Sequence, residues 1–289
     1  MIWIIYAIAH SLFRAIFAEI NRLYQIDAWQ LTFVHAVCAI LFLLPLVPFM
    51  NWPADPSFYS AAALVALIIT VGIVIQLNLS SEQNGRTTGI AVPFEAMGAF
   101  AIWLAVDPGA LEMYANDPLR LMGLGAAFVI AIFGLSMLRR HDINARTMSI
   151  MIPVAVTYAV AGVVTKVVVP FGTEEMIPAI LSFVLVNYVV MTIAMGAVLL
   201  LKRRVDDTMR SPRTLQAGLI TGMLGLMGYA TFVTAVVMAP NPGYVSLTAV
   251  LVPVWLFIYH HAKHRNDHSS AAAALLVIIS VVILVLSTM

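Results

Sequence analysis

One carboxylate stands where hydrocarbon is expected. The stretch "AVPFEAMGAFAIWLAV", Ala91 to Val106, is almost wholly apolar, yet it holds Glu95. A charge at the bilayer centre costs about 2.5–3.5 kcal/mol on insertion scales. Glu is too short to reach the interface, so Glu95 must face a bundle interior, meet a cation or carry a proton. Pro93, two residues upstream, lacks a backbone donor and loosens the helix there. An unwound turn beside an ionisable group suits an ion or substrate site. We expect Glu95 to face a polar pathway; the alternative is a neutral Glu hydrogen-bonded for packing.

Two cations are placed in a similar way. Arg14 and Lys166 lie nearer the ends of their apolar runs, where long stems serve either as snorkelling anchors or as anion contacts. His10 is one turn before Arg14 and shares its face. An imidazole there titrates near neutral pH, or simply packs. Other polar groups interrupt apolar runs at Gln76, Asn78, Thr157, Tyr158, Asn187, Tyr188, Tyr229, Thr231, Thr234, Trp255 and Tyr259. From this set Glu95, His10, Arg14, Lys166, Gln76, Tyr158, Asn187, Tyr229 and Trp255 are the candidate substrate- or ion-binding residues. Together they would line a mixed polar and aromatic cavity suited to small amphiphilic organic solutes. Glu19 is expected at the interface, and Trp3 and Trp103, near run ends, in an interfacial belt.

Metal and catalytic chemistry are weaker readings. His260, His264 and His268 in "YHHAKHRNDH" are spaced by four and would share a helix face. Asn266 and Asp267 break that helix, and no Cys or carboxylate is spaced with them as a metal site requires. The stretch reads as a basic membrane-proximal connector, with no metal and no cofactor expected. No H-E-x-x-H, G-x-S-x-G or paired-Asp motif occurs, and no Walker motif. ATP therefore does not drive the chain directly, and it is not expected to be an enzyme.

The elements that must carry these residues follow from composition. The 289-residue chain is 62% hydrophobic and 10% charged, against about 25% charged in a soluble domain. So few charges cannot make a water-soluble surface, so an integral membrane protein is expected. The net charge of +1 says nothing about nucleic acid, but there is no basic tract with aromatic interleaving, so nucleic acid is not expected as a partner. Cys38 is alone and cannot form an intrachain disulfide. Met1 to Ile20 is apolar from its first residue and is expected to be a retained first helix.

A transmembrane helix needs roughly 20 apolar residues. Candidate spans are 2–20, 28–50, 58–79, 88–106, 119–138, 148–169, 176–201, 214–238, 243–260 and 271–288. Barrel strands would be half as long and alternating, so the expected fold is an all-α membrane protein of ten transmembrane helices. The breaks hold turn-forming residues, as in "NWPADPS", "DPGALEMYANDP" and "APNPG". Gly218, Gly222, Gly225 and Gly228 recur at helical spacing and would let helix backbones approach closely.

"YAIAHSLFRAIF" from Tyr6 aligns with "YAVAGVVTKVVV" from Tyr158, pairing Ala7 with Ala159, Ala9 with Ala161 and Arg14 with Lys166. Each half has five spans and a proline-bearing fourth helix, at Pro93 and Pro253. Five is odd, so a second copy enters the membrane from the opposite side. The expected units are 1–138 and 148–288, two inverted five-helix repeats with a substrate site between them.

At this point the chain resembles the EamA-type branch of the drug/metabolite transporter superfamily. "NGRTTGIAVPFEAMGAF" is similar to that family's third-to-fourth helix junction, "PNPGYVSLTAVLVPVWLF" to its eighth-to-ninth junction, and "LRLMGLGAAFVIAIFGLSML" to its small-residue fifth helix. Arg14 and Lys166 match basic residues common near the ends of its first and sixth helices. The Gly-Glu pair often found after helices four and nine is replaced by "LAVDPGA" and "YHHAKHR", and the tenth helix lacks the usual glycines. The resemblance implies a secondary transporter, exporter or importer, moving a small organic metabolite by alternating access. Its expected setting is multi-pass in a plasma membrane, such as a bacterial inner membrane, with membrane lipids and the solute as partners. The alternative is a membrane-embedded enzyme or lipid-handling protein. Orientation signals differ: outside Arg14 and Lys166, 12 of the remaining Lys and Arg residues fall on one side, with Arg120 alone on the other. That asymmetry puts both termini outside the cytoplasm, whereas the family resemblance implies both inside.

Overall fold

The structure, a computed structural model, describes residues 1–82, 92–138, 145–169, 176–203, 207–263 and 270–288. Its ordered elements are helical, with no strand among the described residues. The helices are α1 (Trp3–Tyr24), α2 (Ala28–Leu43, continued by a 3-10 turn over Leu44–Phe49), α3 (Pro56–Glu82), α4 (Val92–Val106), α5 (Pro108–Asn116) and α6 (Pro118–Leu138). They are followed by α7 (Ala145–Val168), α8 (Met176–Leu201), α9 (Pro212–Met238), α10 (Pro242–Thr248), α11 (Val252–Ala262) and α12 (Ala271–Ser287). Helices are the physical solution for such runs, because a hydrocarbon-facing backbone must satisfy every N–H and C=O within its own segment.

Eight spans among the described residues are long and apolar enough to cross a bilayer, fewer than the ten expected. The shortfall lies in the fourth and tenth runs. Residues 88–91 of the expected fourth span lie outside the described residues. Its described part, α4, ends at an Asp-Pro step instead of a loop. The Asp107 carboxylate accepts from the Gly109 and Ala110 N–H groups and so caps a new helix, α5, with Pro108 at its first position. The α4–α5 pair bends by 105° there. The expected loop 107–118 is therefore mostly helix. In the tenth run, α12 has 17 residues, about 26 Å of rise against a hydrocarbon core of about 30 Å.

The expected ninth span is present over Pro242–Ala262, with an irregular turn inside it. A 3-10 turn over Ala249–Leu251 separates α10 from α11, where Pro253 has no N–H to offer the preceding turn. Ser211 with Pro212 and Asn241 with Pro242 repeat the cap-then-proline start at α9 and α10.

In the bundle α1 packs on α9, α2 on α8 and α9, and α3 on α7 and α8. Helix α4 packs on α7 and α10, α1 also meets α11, and α6 pairs with α12. The contact of α2 with α9 needs glycine: a Cβ at Gly222 would sit 2.6 Å from the Cys38 Cβ and 3.0 Å from the His35 carbonyl. The outer surface is apolar, with Leu67, Val71, Phe133, Ile193 and Leu200 all exposed. An exterior like this belongs in lipid, and the chain is a multi-pass integral membrane protein.

Three residues expected at the interface are instead buried. Trp3 stacks on Tyr244 with ring centroids 6.0 Å apart. Trp103 is buried in the bundle, with the Lys166 ammonium 5.1 Å from its ring. Glu19 is buried between α1 and α11, bonded by Arg22 and lying 3.3 Å from His260 Nε2. The Glu19 charge finds Arg22 and His260 there, and the two indoles are held by ring contacts with Tyr244 and Lys166.

Candidate functional site

Helices α1, α2, α3, α4, α7, α8 and α9 together enclose a cavity of about 120 Å³ at mid-bundle. That is several times the room one buried water needs. Its walls are mainly apolar and aromatic, and its polar groups come from separate helices. Each is the residue that its own apolar run cannot turn towards lipid.

Glu95 answers the question its sequence raises. It is 2% exposed and reaches the cavity from α4. Both η nitrogens of Arg14, on α1, donate to its Oε2 at 3.4 Å each. Ser246, on α10, donates to its Oε1 at 3.0 Å. Charged N–H···O bonds usually run at about 2.7–2.9 Å, and Arg-carboxylate pairs often engage both oxygens. Here two donors converge on one oxygen at longer range, so the pair is loosely held. The guanidinium also lies 5.7 Å from the centroid of the Tyr158 ring, on α7. The Tyr158 hydroxyl sits over Gly72 of α3, where any Cβ would collide with it.

A second polar group lies across the cavity. Tyr229, on α9, donates to Asn187 Oδ1 at 3.1 Å, and Asn187 Nδ2 donates to the Phe183 carbonyl at 2.8 Å within α8. Tyr188 meets Tyr229 edge-on at 6.1 Å. His35 enters from α2 between Phe17 and Tyr188, at 5.4 and 5.5 Å, with its ring over Gly225. Neither His35 nitrogen makes a well-formed hydrogen bond, although the Thr221 backbone lies close. His10 donates from Nδ1 to the Gly228 carbonyl at 2.8 Å, and Gln76 lines the wall from α3.

The structure thus brings Glu95, Arg14, His10, Gln76, Tyr158, Asn187 and Tyr229 to one cavity. Lys166 and Trp255 are elsewhere. Lys166 Nζ donates to the carbonyls of Ala239, Val237 and Val236 at 2.5, 3.2 and 3.4 Å, closing the C-terminal end of α9. Helix ends leave carbonyls without partners and favour a cation there, so Lys166 is held by α9 and does not reach the cavity. Trp255 donates from Nε1 to Ser11 Oγ at 2.9 Å, in the contact of α11 with α1. Of the histidines spaced by four, His260 is bonded to Glu19, and His264 and His268 lie outside the described residues. Among the described residues no group of His, Cys, Asp and Glu is arranged to hold a metal.

Residues not chosen from the sequence also line or complete the site. His35 carries the signal that marks His10, an ionisable group in an apolar run, and Tyr188 adjoins Asn187. Ser246 has no comparable signal, because serine is common in membrane helices. Fold and site together define a multi-pass helical membrane protein with a polar, charge-bearing centre. No protein-family model and no curated protein matches this chain.

Proposed function

We propose that the chain is a secondary transporter that carries a small organic solute through the central cavity by alternating access. In this reading it is a ten-helix transporter of the EamA type in a plasma membrane. The α4–α5 pair serves as the fourth span, α10–α11 as the ninth and α12 as the tenth. The pattern of helix contacts supports two repeats. Helix α1 packs on α9 as α7 packs on α3, and α2 packs on α9 as α8 packs on α3. Helix α4 packs on α7 as α10 and α11 pack on α1, while α2 with α8, α4 with α10 and α6 with α12 pair across the halves. Exchanging the two sets of five spans leaves this pattern unchanged. With five spans per set the second set is inverted, and the cavity falls on the axis between them.

The observation that carries the proposal is the Arg14–Glu95 pair on the cavity wall. Buried ion pairs add little net stability, and apolar residues of similar volume often do as well. A loosely held pair that faces a cavity has a use that packing does not require: either member can change partner when a solute arrives. Reconstitution into liposomes with a panel of radiolabelled organic solutes tests the proposal. Counterflow faster than in protein-free vesicles is expected for at least one solute. The same rate in both vesicles for the whole panel would overturn it.

A further inference from the structure

We infer that the cavity takes a small organic monoanion, a single carboxylate on an apolar or aromatic body, and that each anion enters together with one proton carried by Glu95. This rests on the cavity being the solute site proposed above.

The distribution of donors points to an anion. Glu95 has both oxygens engaged, Oε1 by Ser246 and Oε2 by Arg14. A guanidinium has five N–H donors in a fork that matches a carboxylate. Here the bonds to Glu95 fall on one oxygen, both at 3.4 Å. Arg14 is therefore the less satisfied partner, and it lines the cavity. Beside it the walls are apolar or aromatic, formed by Phe13, Phe17, Ile73, Met191 and Phe232. A carboxylate would take the fork, and the body would lie on these side chains.

Charge balance then calls for the proton. The pair is neutral as it stands. An anion entering alone would leave a net negative charge away from bulk water, where among the described residues lining the cavity Arg14 is the one Lys or Arg. Tyr158 is the titratable group that α7 presents near the pair, and α10 presents Ser246. Lys166, farther along α7, is held by the end of α9. Tyr114 of α5 bonds Tyr244 of α10, and Arg120 of α6 donates to the Ser287 carbonyl. His10 is bonded to Gly228. His35 also lines the cavity with an open ring nitrogen, but Glu95 Oε2 is the acceptor that the entering anion itself uncovers, by drawing off the Arg14 N–H donors. The Arg14 N–H donors pass from Glu95 Oε2 to the solute carboxylate, a proton from water bonds to Oε2, and Ser246 stays on Oε1. One anion and one proton enter, and the net charge of the cavity is unchanged. A zwitterion would instead place its ammonium on an ionised Glu95 and bring no proton.

Titration calorimetry on the full chain in lipid nanodiscs tests this with three probes sharing one body: 3-phenylpropionate, 2-phenylethylamine and phenylalanine. Repeating each titration in two buffers of different ionisation enthalpy counts the protons taken up. The expected result is binding of the carboxylate alone, with about one proton per ligand and about tenfold weaker affinity per pH unit on the alkaline side. Glu95→Gln should bind the carboxylate without proton uptake. The charge-balanced double variant Arg14→Gln/Glu95→Gln should not bind it. No binding of the carboxylate overturns the inference, as does binding without a proton, binding of the amine or the zwitterion, or binding that survives in the double variant. Because binding is read without transport, a chain that binds but moves no solute across vesicles would refute the transporter reading and leave this one standing.

Discussion

Removing the cation alone should damage the protein more than removing both charges. Arg14 approaches Glu95 to 3.4 Å; at an effective dielectric constant near 20 that separation corresponds to an attraction of about 5 kcal/mol. Arg14→Gln forfeits this attraction and leaves a carboxylate 2% exposed with Ser246 as its remaining donor. Breaking a buried pair in this way typically costs about 3–5 kcal/mol. Glu95→Gln should cost less, about 2 kcal/mol, because the Arg14 side chain keeps 14% exposure and a long stem that can turn to cavity water. The double variant carries two amides that can bond each other and should lie within about 1 kcal/mol of the wild type. The assay is a double-mutant cycle on the unfolding midpoint in detergent, read by size-exclusion recovery. A coupling energy of at least about 3 kcal/mol is expected. Losses that simply add in the double variant would refute the reasoning, because charges in contact cannot be independent.

Other outcomes follow from the same geometry. Gly222→Ala must push α2 away from α9, since its Cβ would lie 2.6 Å from the Cys38 Cβ; a loss of about 1–3 kcal/mol is expected. Gly125→Ala, where nothing lies within 4 Å, should be neutral or slightly stabilising in the same unfolding assay. Lys166→Gln frees carbonyls at the end of α9 and should lower stability by about 1–3 kcal/mol while leaving solute affinity in calorimetry unchanged. Tags at both termini should react with an impermeant reagent on intact cells, because the proposed ten-span topology puts 12 of the 13 Lys and Arg residues outside Arg14 and Lys166 on the side opposite the termini; protection until permeabilisation would contradict this.

Much of the site was legible in the sequence because of one constraint. A polar residue inside a hydrocarbon-length run cannot face lipid cheaply, so Glu95, Gln76, Asn187 and Tyr229 were bound to turn inward, and inward is where the helices meet. The constraint fixes a direction and says nothing of the partner. Arg14 and Lys166 occupy matching places in their runs, yet Arg14 meets a carboxylate and Lys166 meets the carbonyl end of α9. Only the packing of α7 beside α9 and α4 distinguishes them. Trp255 reads as a cavity residue by type, but its N–H is taken by Ser11. His35 carries the same signal as His10, an ionisable group in an apolar run. The bend at Asp107 is visible in a different form: the polar stretch reads as a loop, yet an N-cap residue followed by proline starts a helix. The 3-10 turn inside the ninth span is signalled by Pro253, which has no N–H for the turn before it.

The central claim is that Glu95 exchanges partners as solute moves through the cavity. The most direct measurement compares wild type and Glu95→Gln in proteoliposomes, using a solute that passes the counterflow screen. Uptake is driven first by an imposed proton gradient and then by exchange at equal pH. The wild type should accumulate solute under the gradient, while Glu95→Gln should lose that accumulation yet still exchange. Full gradient-driven accumulation by Glu95→Gln would contradict the account.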